Sequence, residues 1–341
     1  MAYNTVAFNE FVDNVERVVL EQLEDAKPDM VRSLFTQVPW QQGDGEKVTF
    51  SSVALSGFAE RVVENELYPV VNPSKGNNLE KTQVQYGDKL EITRRMMKFN
   101  NRYQQAKFAA EDLVLRLMNT LDLEMTLQAF SEADQTTFTP KGQAATQSIA
   151  TSDSQALASS SHSYGGVSFS NLAADGAHGS GPVLSKTNLT TALNKGTRET
   201  VDDFGTYITP NFDTVVIAND YDMIIKCHEL FGSSLTPETS NNAVNYYGGK
   251  GSMKVVALRF GDRNTLGVAG TTNIYRWLIM DSEMTRRSWQ LMMAEEPTPE
   301  QKFLDHDNVL AKILVTMFAA YAVVQPQGTI YSLSTTKPTL S

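Results

Sequence analysis

The chain has 341 residues, with 29 Lys and Arg against 39 Asp and Glu, so its formal net charge is −10. This acidic balance argues against a dedicated DNA- or RNA-binding protein, because binding to phosphates depends on clustered cations. A composition that is 41% hydrophobic and 20% charged is typical of a folded globular protein. The single cysteine, Cys227, excludes an intramolecular disulfide and favours a reducing compartment.

The chain shows no signal for secretion or membrane insertion. The N-terminus lacks the basic start and the unbroken apolar stretch of a signal peptide. The most apolar run, residues 313–324, has twelve residues, whereas a membrane-spanning helix needs roughly 20. We therefore expect neither export by the usual route nor a membrane-spanning segment.

The first predicted element is an amphipathic helix that Pro28 ends. Its apolar residues recur at three- and four-residue spacing, which marks one helix face. They are Phe8, Phe11, Val12, Val15, Val18, Val19, Leu23 and Ala26. A polar and aromatic connection through Trp40 follows and ends in a glycine turn at residues 43–45. Residues 1–45 are therefore predicted to form an arm set off from the rest.

Residues 46–98 are predicted to form an extended hairpin loop, because a two-residue period replaces the helical spacing. Apolar side chains on one strand face are Val84, Tyr86, Leu90 and Ile92, and the half expected to pair with them contains Val48, Phe50, Phe58, Val62 and Val70. Residues 72–78, rich in Pro, Gly and Asn, predict the polar tip. These few apolar residues cannot form a private core, so the hairpin should rest on another surface.

A long helix is predicted within residues 99–138. Residues 88–139 contain neither Gly nor Pro, and apolar residues recur at helical spacing from Tyr103 onward. A helix over residues 101–133 would be about 50 Å long at about 1.5 Å per residue. It would be about three times the usual length, and we expect it to act as a girder that other elements cross.

The second half of the chain predicts an α/β body after a loop or weakly paired strands at residues 139–185. Ser185 or Thr187 can cap a helix with the face Leu189, Leu193, Gly196, Thr200 and Phe204. A buried strand is predicted at residues 214–218, and Asp220 can cap the following helix. Further strands are predicted at residues 253–258, 275–280, 310–324 and 329–333.

No motif assigns a catalytic, cofactor or metal site. Cys227 and His228 are adjacent on a helix and point about 100° apart, so a buried structural thiol is favoured over a nucleophile–base pair. Residues 305–307, Asp-His-Asp, could bind a metal or serve as acid and base, but a solvated turn before a strand is the simpler interpretation. Residues 248–252 suggest a phosphate loop, yet they lack its glycine spacing, which favours a tight turn.

The order of arm, hairpin, long helix and α/β body resembles the major capsid proteins of tailed bacteriophages, which have the Hong Kong 97-type fold. Residues 189–193 (LTTAL), 207–211 (YITPN) and 214–218 (TVVIA) look like the helix, loop and strand that open the axial domain of that family. Residues 246–256, 276–281 and 318–331 look like its glycine turn, tryptophan strand and closing peripheral-domain strands. The resemblance implies a mixed α+β fold with a spine helix, peripheral-domain strands at residues 139–185 and 301–341, and an axial domain at residues 186–300.

The resemblance also implies a non-enzymatic structural protein of the virion, assembled in the host cytoplasm without a cofactor or membrane partner. An arm and a hairpin without their own core must be buried by neighbouring subunits, and head-to-tail contacts of this kind close into rings. In the family these rings are pentamers and hexamers of an icosahedral shell around double-stranded DNA. Expected partners are further copies of the chain, a portal, a separate scaffolding protein and a decoration protein, with DNA held without sequence-specific contacts.

Candidate subunit contacts lie on the arm and the hairpin. They are Trp40, Tyr68, Pro73, Lys75, Arg94 and Arg95. Arg94 and Arg95 have a second interpretation as a solvated strand end. Some family members cross-link subunits through a lysine on the extended loop, but nothing identifies a partner for Lys75 or Lys81. An encapsulin-like compartment with a peptide cargo and an α/β enzyme assembled from distant polar residues remain alternatives.

Overall fold

The computed structural model describes residues 17, 30–40, 45–53, 75–93, 95, 100–140, 146–174, 181–232, 247, 253–264, 267–268, 270, 273–306 and 309–340. The helix predicted near the N-terminus, apart from Arg17, lies outside these residues. The turn predicted at residues 248–252 and residues 54–74 of the predicted hairpin also lie outside them.

The described elements form a mixed α+β architecture. Its strands are β1 (Thr36–Pro39), β2 (Lys47–Val53), β3 (Lys75–Thr82), β4 (Val84–Thr93), β5 (Thr137–Phe138), β6 (Gln147–Ser148), β7 (His162–Tyr164), β8 (Val167–Phe169), β9 (Thr214–Ala218), β10 (Lys254–Leu258), β11 (Trp277–Met280), β12 (Trp289–His306), β13 (Val309–Val323) and β14 (Thr329–Ser332). Its helices are α1 (Asn100–Thr126), α2 (Lys186–Glu199), α3 (Tyr221–Cys227) and α4 (Ser282–Ser288). A 3₁₀ turn, Met30–Leu34, precedes β1, and π-helical turns extend α1 over Leu127–Ser131 and α3 over His228–Gly232.

The first sheet has the strand order β1-β12-β13-β4, with β1 parallel to β12 and the other pairs antiparallel. The two longest strands, β12 and β13, form its centre. Alternate side chains of β13 point to opposite faces, as the two-residue period of a strand requires. Ile313, Val315 and Met317 belong to the core around α1, whereas Ala320 and Ala322 belong to a second apolar cluster on the other face.

Helix α1 packs on the first sheet and confirms the predicted long helix. It has 27 residues, which corresponds to about 40 Å, and the π turn continues it to Ser131. Its buried face contains Leu113, Leu117, Leu121 and Met125, at the spacing that the sequence predicts.

The second sheet has the order β10-β9-β11-β14, in which β10 and β9 are parallel and the other pairs antiparallel. Every residue of β9 is buried, which confirms the predicted two-sided burial. Two predicted helix caps are present. Ser185 Oγ accepts a hydrogen bond from the Asn188 amide at 3.2 Å at the start of α2, and the Asp220 carboxylate caps α3. The predicted face of α2 is wrong at Phe204, because the helix ends at Glu199 and Phe204 is 46% exposed.

One apolar cluster joins the two sheets beneath α1. It combines Val315 and Met317 of the first sheet with Val216 and Leu278 of the second. Tyr331 of β14 extends this link, because its buried hydroxyl donates to the Ala129 carbonyl at 2.8 Å. The long helix and both sheets therefore share a core, which fixes the surfaces that each presents to solvent.

The hairpin exists, but the pairing predicted for its return strand is wrong. β2 pairs with β3, from Lys47 opposite Thr82 to Val53 opposite Lys75, whereas β4 pairs with β13. Residues 75–78, expected in the polar tip, lie in β3. The two-residue period cannot distinguish these partners, because a strand alternates in the same way beside any neighbour.

The segment between α1 and α2 contains two short antiparallel pairs, β5–β6 and β7–β8, as its composition predicts. Gly165 and Gly166 connect β7 to β8 with φ angles of 56° and 80°. A Cβ atom on Gly165 would lie 2.1 Å from the Phe204 carbonyl carbon, so this turn is seated on the loop after α2.

Gly165→Ala is expected to lower the free energy of unfolding by about 2–4 kcal/mol, because it adds left-handed strain and a backbone clash. Gly166→Ala is the matched control, since a Cβ there meets nothing within 4 Å and only the strain, about 1 kcal/mol, remains. Urea denaturation measures both losses. Equal losses would contradict the close contact between the turn and the loop after α2.

Candidate assembly surfaces

The outer face of α1 carries an exposed apolar stripe. Phe108 is 65% exposed and Leu115 is 41% exposed, and their spacing of seven residues places them on the same helix face. Both lie away from the buried face that the sequence assigns to this helix. Isolated exposed apolar residues are common, but an aligned pair on a rigid helix is a candidate contact surface.

A groove of 560 Å³ runs between the 3₁₀ turn, β12 and α1. Apolar residues dominate its lining, which includes Met30, Phe35, Met118, Leu291, Met293 and Pro297. At its side, the Arg32 guanidinium forms a buried ion pair with Asp122 and donates to the Met118 carbonyl at 3.2 Å. This pairing ties the 3₁₀ turn to α1 at one side of the groove.

Helix α3 presents a third surface. Tyr221 and Ile225, one helical turn apart on α3, are 82% and 44% exposed. Phe204 and Tyr207, in the loop after α2, are 46% and 61% exposed. Sequence reasoning missed these residues and the stripe on α1. For Phe108 and Leu115 the available signal was their position off the predicted buried face of the long helix, whereas Phe204 was wrongly predicted on such a face.

The structure describes only some of the predicted contact residues. Trp40 directly follows β1 and is 37% exposed, and Arg95 is exposed. Lys75 lies in β3 opposite Val53. Tyr68, Pro73 and Arg94 lie outside the described residues. The described residues do not test these six positions as contacts, and their role stays a prediction.

One edge of the first sheet is protected against strand addition. β1 pairs with β12 only as far as Met293, and no other described strand covers that edge beyond it. Pro297 and Pro299 of β12 have no amide hydrogen to donate, and the register shifts around Glu295 distort the ladder. Proline and bulges are common protections of an exposed edge. Side-chain surfaces are therefore better candidates for assembly than this edge.

Cys227 is the candidate reactive residue whose surroundings the structure describes. Burial raises the pKa of the Cys227 thiol to about 12, so it is the reverse of an activated nucleophile. Asp305 and His306 are the last residues of β12, and Asp307 lies outside the described residues. The described residues contain no cluster of three His, Cys, Asp or Glu that could bind a metal. No helix among them has the length and apolarity to span a membrane.

A buried acid lies between α1 and the first sheet. Glu124 accepts hydrogen bonds from the hydroxyls of Tyr86 at 2.5 Å and Tyr321 at 3.2 Å. Burial raises the pKa of Glu124, and the two hydroxyls only partly oppose this effect. Because all three side chains are buried, the cluster holds the helix against β4 and β13 and is inaccessible to a substrate.

Glu124→Gln is expected to increase stability at pH 7. Because the pKa of Glu124 in the folded state lies above the ordinary 4.5, the native chain binds this proton more tightly than the unfolded chain does. The resulting contribution of Glu124 to stability is complete below pH 4.5 and is lost as pH rises through the folded-state pKa. The amide removes this loss and keeps an acceptor for the tyrosines.

Thermal unfolding between pH 4.5 and 7.5 measures the effect, and the advantage of the variant should shrink as pH falls. Tyr86→Phe is the control, since it removes a donor to the carboxylate and should cost about 1.5–3 kcal/mol at pH 7. A Glu124→Gln protein less stable than the parent at every pH would contradict the argument.

The chain resembles known proteins in fold but not detectably in sequence. No family model and no curated protein matches it. Solved structures that match include a virus-like particle from Pyrococcus furiosus, with a TM-score of 0.43, 10% identity, and coverage of 94% of this chain and 98% of that chain. A structure from Mycobacterium phage Bobi has a TM-score of 0.47 and 11% identity, with 89% and 90% coverage. The capsid of cyanophage P-SCSP1u has a TM-score of 0.46 and 13% identity, with 90% and 88% coverage.

These neighbours are phage structures and a virus-like particle. Their TM-scores lie below 0.5, so the similarity does not by itself assign a function. The argument for a function therefore has to come from the exposed surfaces of this chain.

Proposed function

We propose that this protein is the major capsid protein of a tailed bacteriophage. Many copies would assemble as pentamers and hexamers into an icosahedral shell around double-stranded DNA. The observation that carries the proposal is the presence of exposed apolar residues on three separate surfaces: the α1 stripe, the groove beside β12 and the exposed face of α3. Different surfaces that meet head to tail generate rings and closed shells.

The proposal assigns a role to each segment. Residues 1–45 are the arm, 46–98 the extended loop, 99–138 the spine helix, 139–185 and 301–341 the peripheral domain, and 186–300 the axial domain of a Hong Kong 97-type subunit. The arm and the loop reach neighbouring copies. Trp40, Tyr68, Pro73, Lys75, Arg94 and Arg95 contribute to those contacts.

The net charge of −10 bears on the packaged genome. Because an acidic wall repels phosphates, DNA would be enclosed without sequence-specific contacts. A portal and a separate scaffolding protein would be assembly partners in the host cytoplasm, and a decoration protein could bind the finished shell. The protein would be a structural component of the virion and not an enzyme.

Negative-stain electron microscopy and size-exclusion chromatography of the purified chain, alone and with the products of neighbouring genes, test the proposal. Closed shells or rings of five or six subunits are the expected result. A monomer or dimer under every condition would overturn it. Turnover lost on substituting Asp305, His306 or Cys227, with assembly unchanged, would favour an enzyme instead.

A further inference from the structure

The end of α1 buries a glutamine in its π turn. The turn is closed by the Glu132 amide, which donates to the Leu127 carbonyl at 2.8 Å. Gln128 is 1% exposed, and neither its amide oxygen nor its amide nitrogen has a hydrogen-bond partner among the described residues. Ser131, the other polar side chain of the turn, donates to the Gly261 carbonyl at 3.0 Å. The chain thus satisfies Ser131 and leaves the Gln128 amide to another partner.

A dry amide at this position would be costly. In the unfolded chain the amide of Gln128 forms hydrogen bonds with water, and burial without a partner forfeits them. Each unsatisfied polar group reduces the folding equilibrium constant by roughly 5- to 150-fold. Buried side-chain amides in native proteins are accordingly almost always bonded to protein or to ordered water.

Gln128 lines a small cavity at the junction of four elements. The cavity measures 30 Å³, which is room for about one water molecule. Tyr321 of β13, Lys81 of β3 and Ser148 of β6 also line it. The Tyr321 hydroxyl already donates to Glu124 at 3.2 Å, and the Lys81 ammonium donates to the Ser148 carbonyl. These groups therefore do not take the place of a partner for the amide.

The chemistry of the lining selects a small neutral ligand that both donates and accepts hydrogen bonds. Gln128 offers an acceptor, Oε1, and a donor, Nε2. An anion would leave Oε1 unpaired, whereas a cation would leave Nε2 unpaired and would face the Lys81 ammonium. A water molecule can donate to Oε1, accept from Nε2 and accept a further hydrogen bond from Lys81, which has three donor hydrogens.

We propose that Gln128 binds a structural water molecule in this cavity. The water satisfies the amide and forms a polar bridge from the end of α1 to the strands that line the cavity. The polar glutamine is thereby accommodated in a turn whose five residues are all buried. The site lies within one chain and does not rest on the proposed function, so failure of the chain to form shells would leave it intact.

A crystal structure of the parent chain, at a resolution that shows ordered water, tests the site directly. We expect a water molecule within about 2.7–3.2 Å of both Oε1 and Nε2 of Gln128. A cavity without this water, or an amide that turns onto a protein group, would overturn the proposal. Because this experiment uses the parent chain, it decides the question even where a variant fails to fold.

Gln128→Met removes the amide and keeps the length of the side chain. We expect its unfolding equilibrium constant, measured in urea, to stay within about threefold of the parental value, because the lost hydrogen bonds offset the gain from an apolar side chain. A fall of more than threefold would mean that the amide is dry and would contradict the proposal, whereas a larger rise would agree with it. Gln135→Met is the matched control, since Gln135 is exposed and follows the same turn, and it should leave the constant unchanged.

Discussion

Arg276→Met is expected to lower the free energy of unfolding by about 3–5 kcal/mol. The Arg276 guanidinium donates to both oxygens of Asp134, at 2.9 and 3.1 Å, and to the Ser131 carbonyl at 2.8 Å. The two side chains are 8% and 4% exposed, so removing the cation leaves a buried carboxylate without its partner. Burial and the charge of Asp134 already raise the pKa of nearby Glu132, which Arg276 opposes.

A double-mutant cycle with Asp134→Leu separates the interaction energy of the Arg276–Asp134 pair from the contributions of the surrounding residues. The double variant should lose less stability than Arg276→Met alone, because two apolar side chains leave neither charge unpaired. Urea midpoints of the four proteins provide the comparison. Losses that simply add would show that the two residues act independently and would contradict the bidentate pair.

Phe108→Glu combined with Leu115→Glu is expected to abolish assembly while leaving the fold intact. Both positions are exposed on α1, so charges there should change the free energy of unfolding by no more than about 0.5 kcal/mol each. In a contact between copies the same charges would be buried without partners. The concentration needed for assembly should therefore rise at least roughly 100-fold, as measured by light scattering and electron microscopy.

Thr120→Glu provides the matched control for this pair. It adds one negative charge, against two in the double variant, to an exposed position of the same helix, about 120° around the axis from Phe108. We expect normal assembly from this variant. If the double variant formed shells at the same concentration as the parent, the α1 stripe would be excluded as a contact surface. Circular dichroism would show whether the variant keeps its fold.

The elements that sequence reasoning predicted correctly have local causes. Helix α1 follows from an uninterrupted apolar period, and the caps of α2 and α3 follow from Ser185 and Asp220 directly before the first turn. The apolar runs of β9 and β13 likewise lie within single segments. Such patterns do not depend on the neighbouring elements.

Strand β12, by contrast, was missed. It has 18 residues, and Glu295, Glu296, Pro297 and Pro299 interrupt the apolar pattern in its middle. Charged residues and prolines disfavour a central strand, but they are tolerated where one edge is open and the ladder contains bulges. Only the pairing with the long apolar β13 shows that these residues extend the first sheet.

The sequence by itself determined the mixed architecture, the long helix, the strands of the second sheet and the need of the hairpin for an outside surface. Only the tertiary structure decided that β3 pairs with β2 and β4 with β13, and that the first sheet receives the hairpin. It also decided which apolar residues remain outside, among them Phe108 and Tyr221. The reason is physical: periodicity records that one face of a segment is apolar, whereas the partner of that face depends on residues far away in the chain.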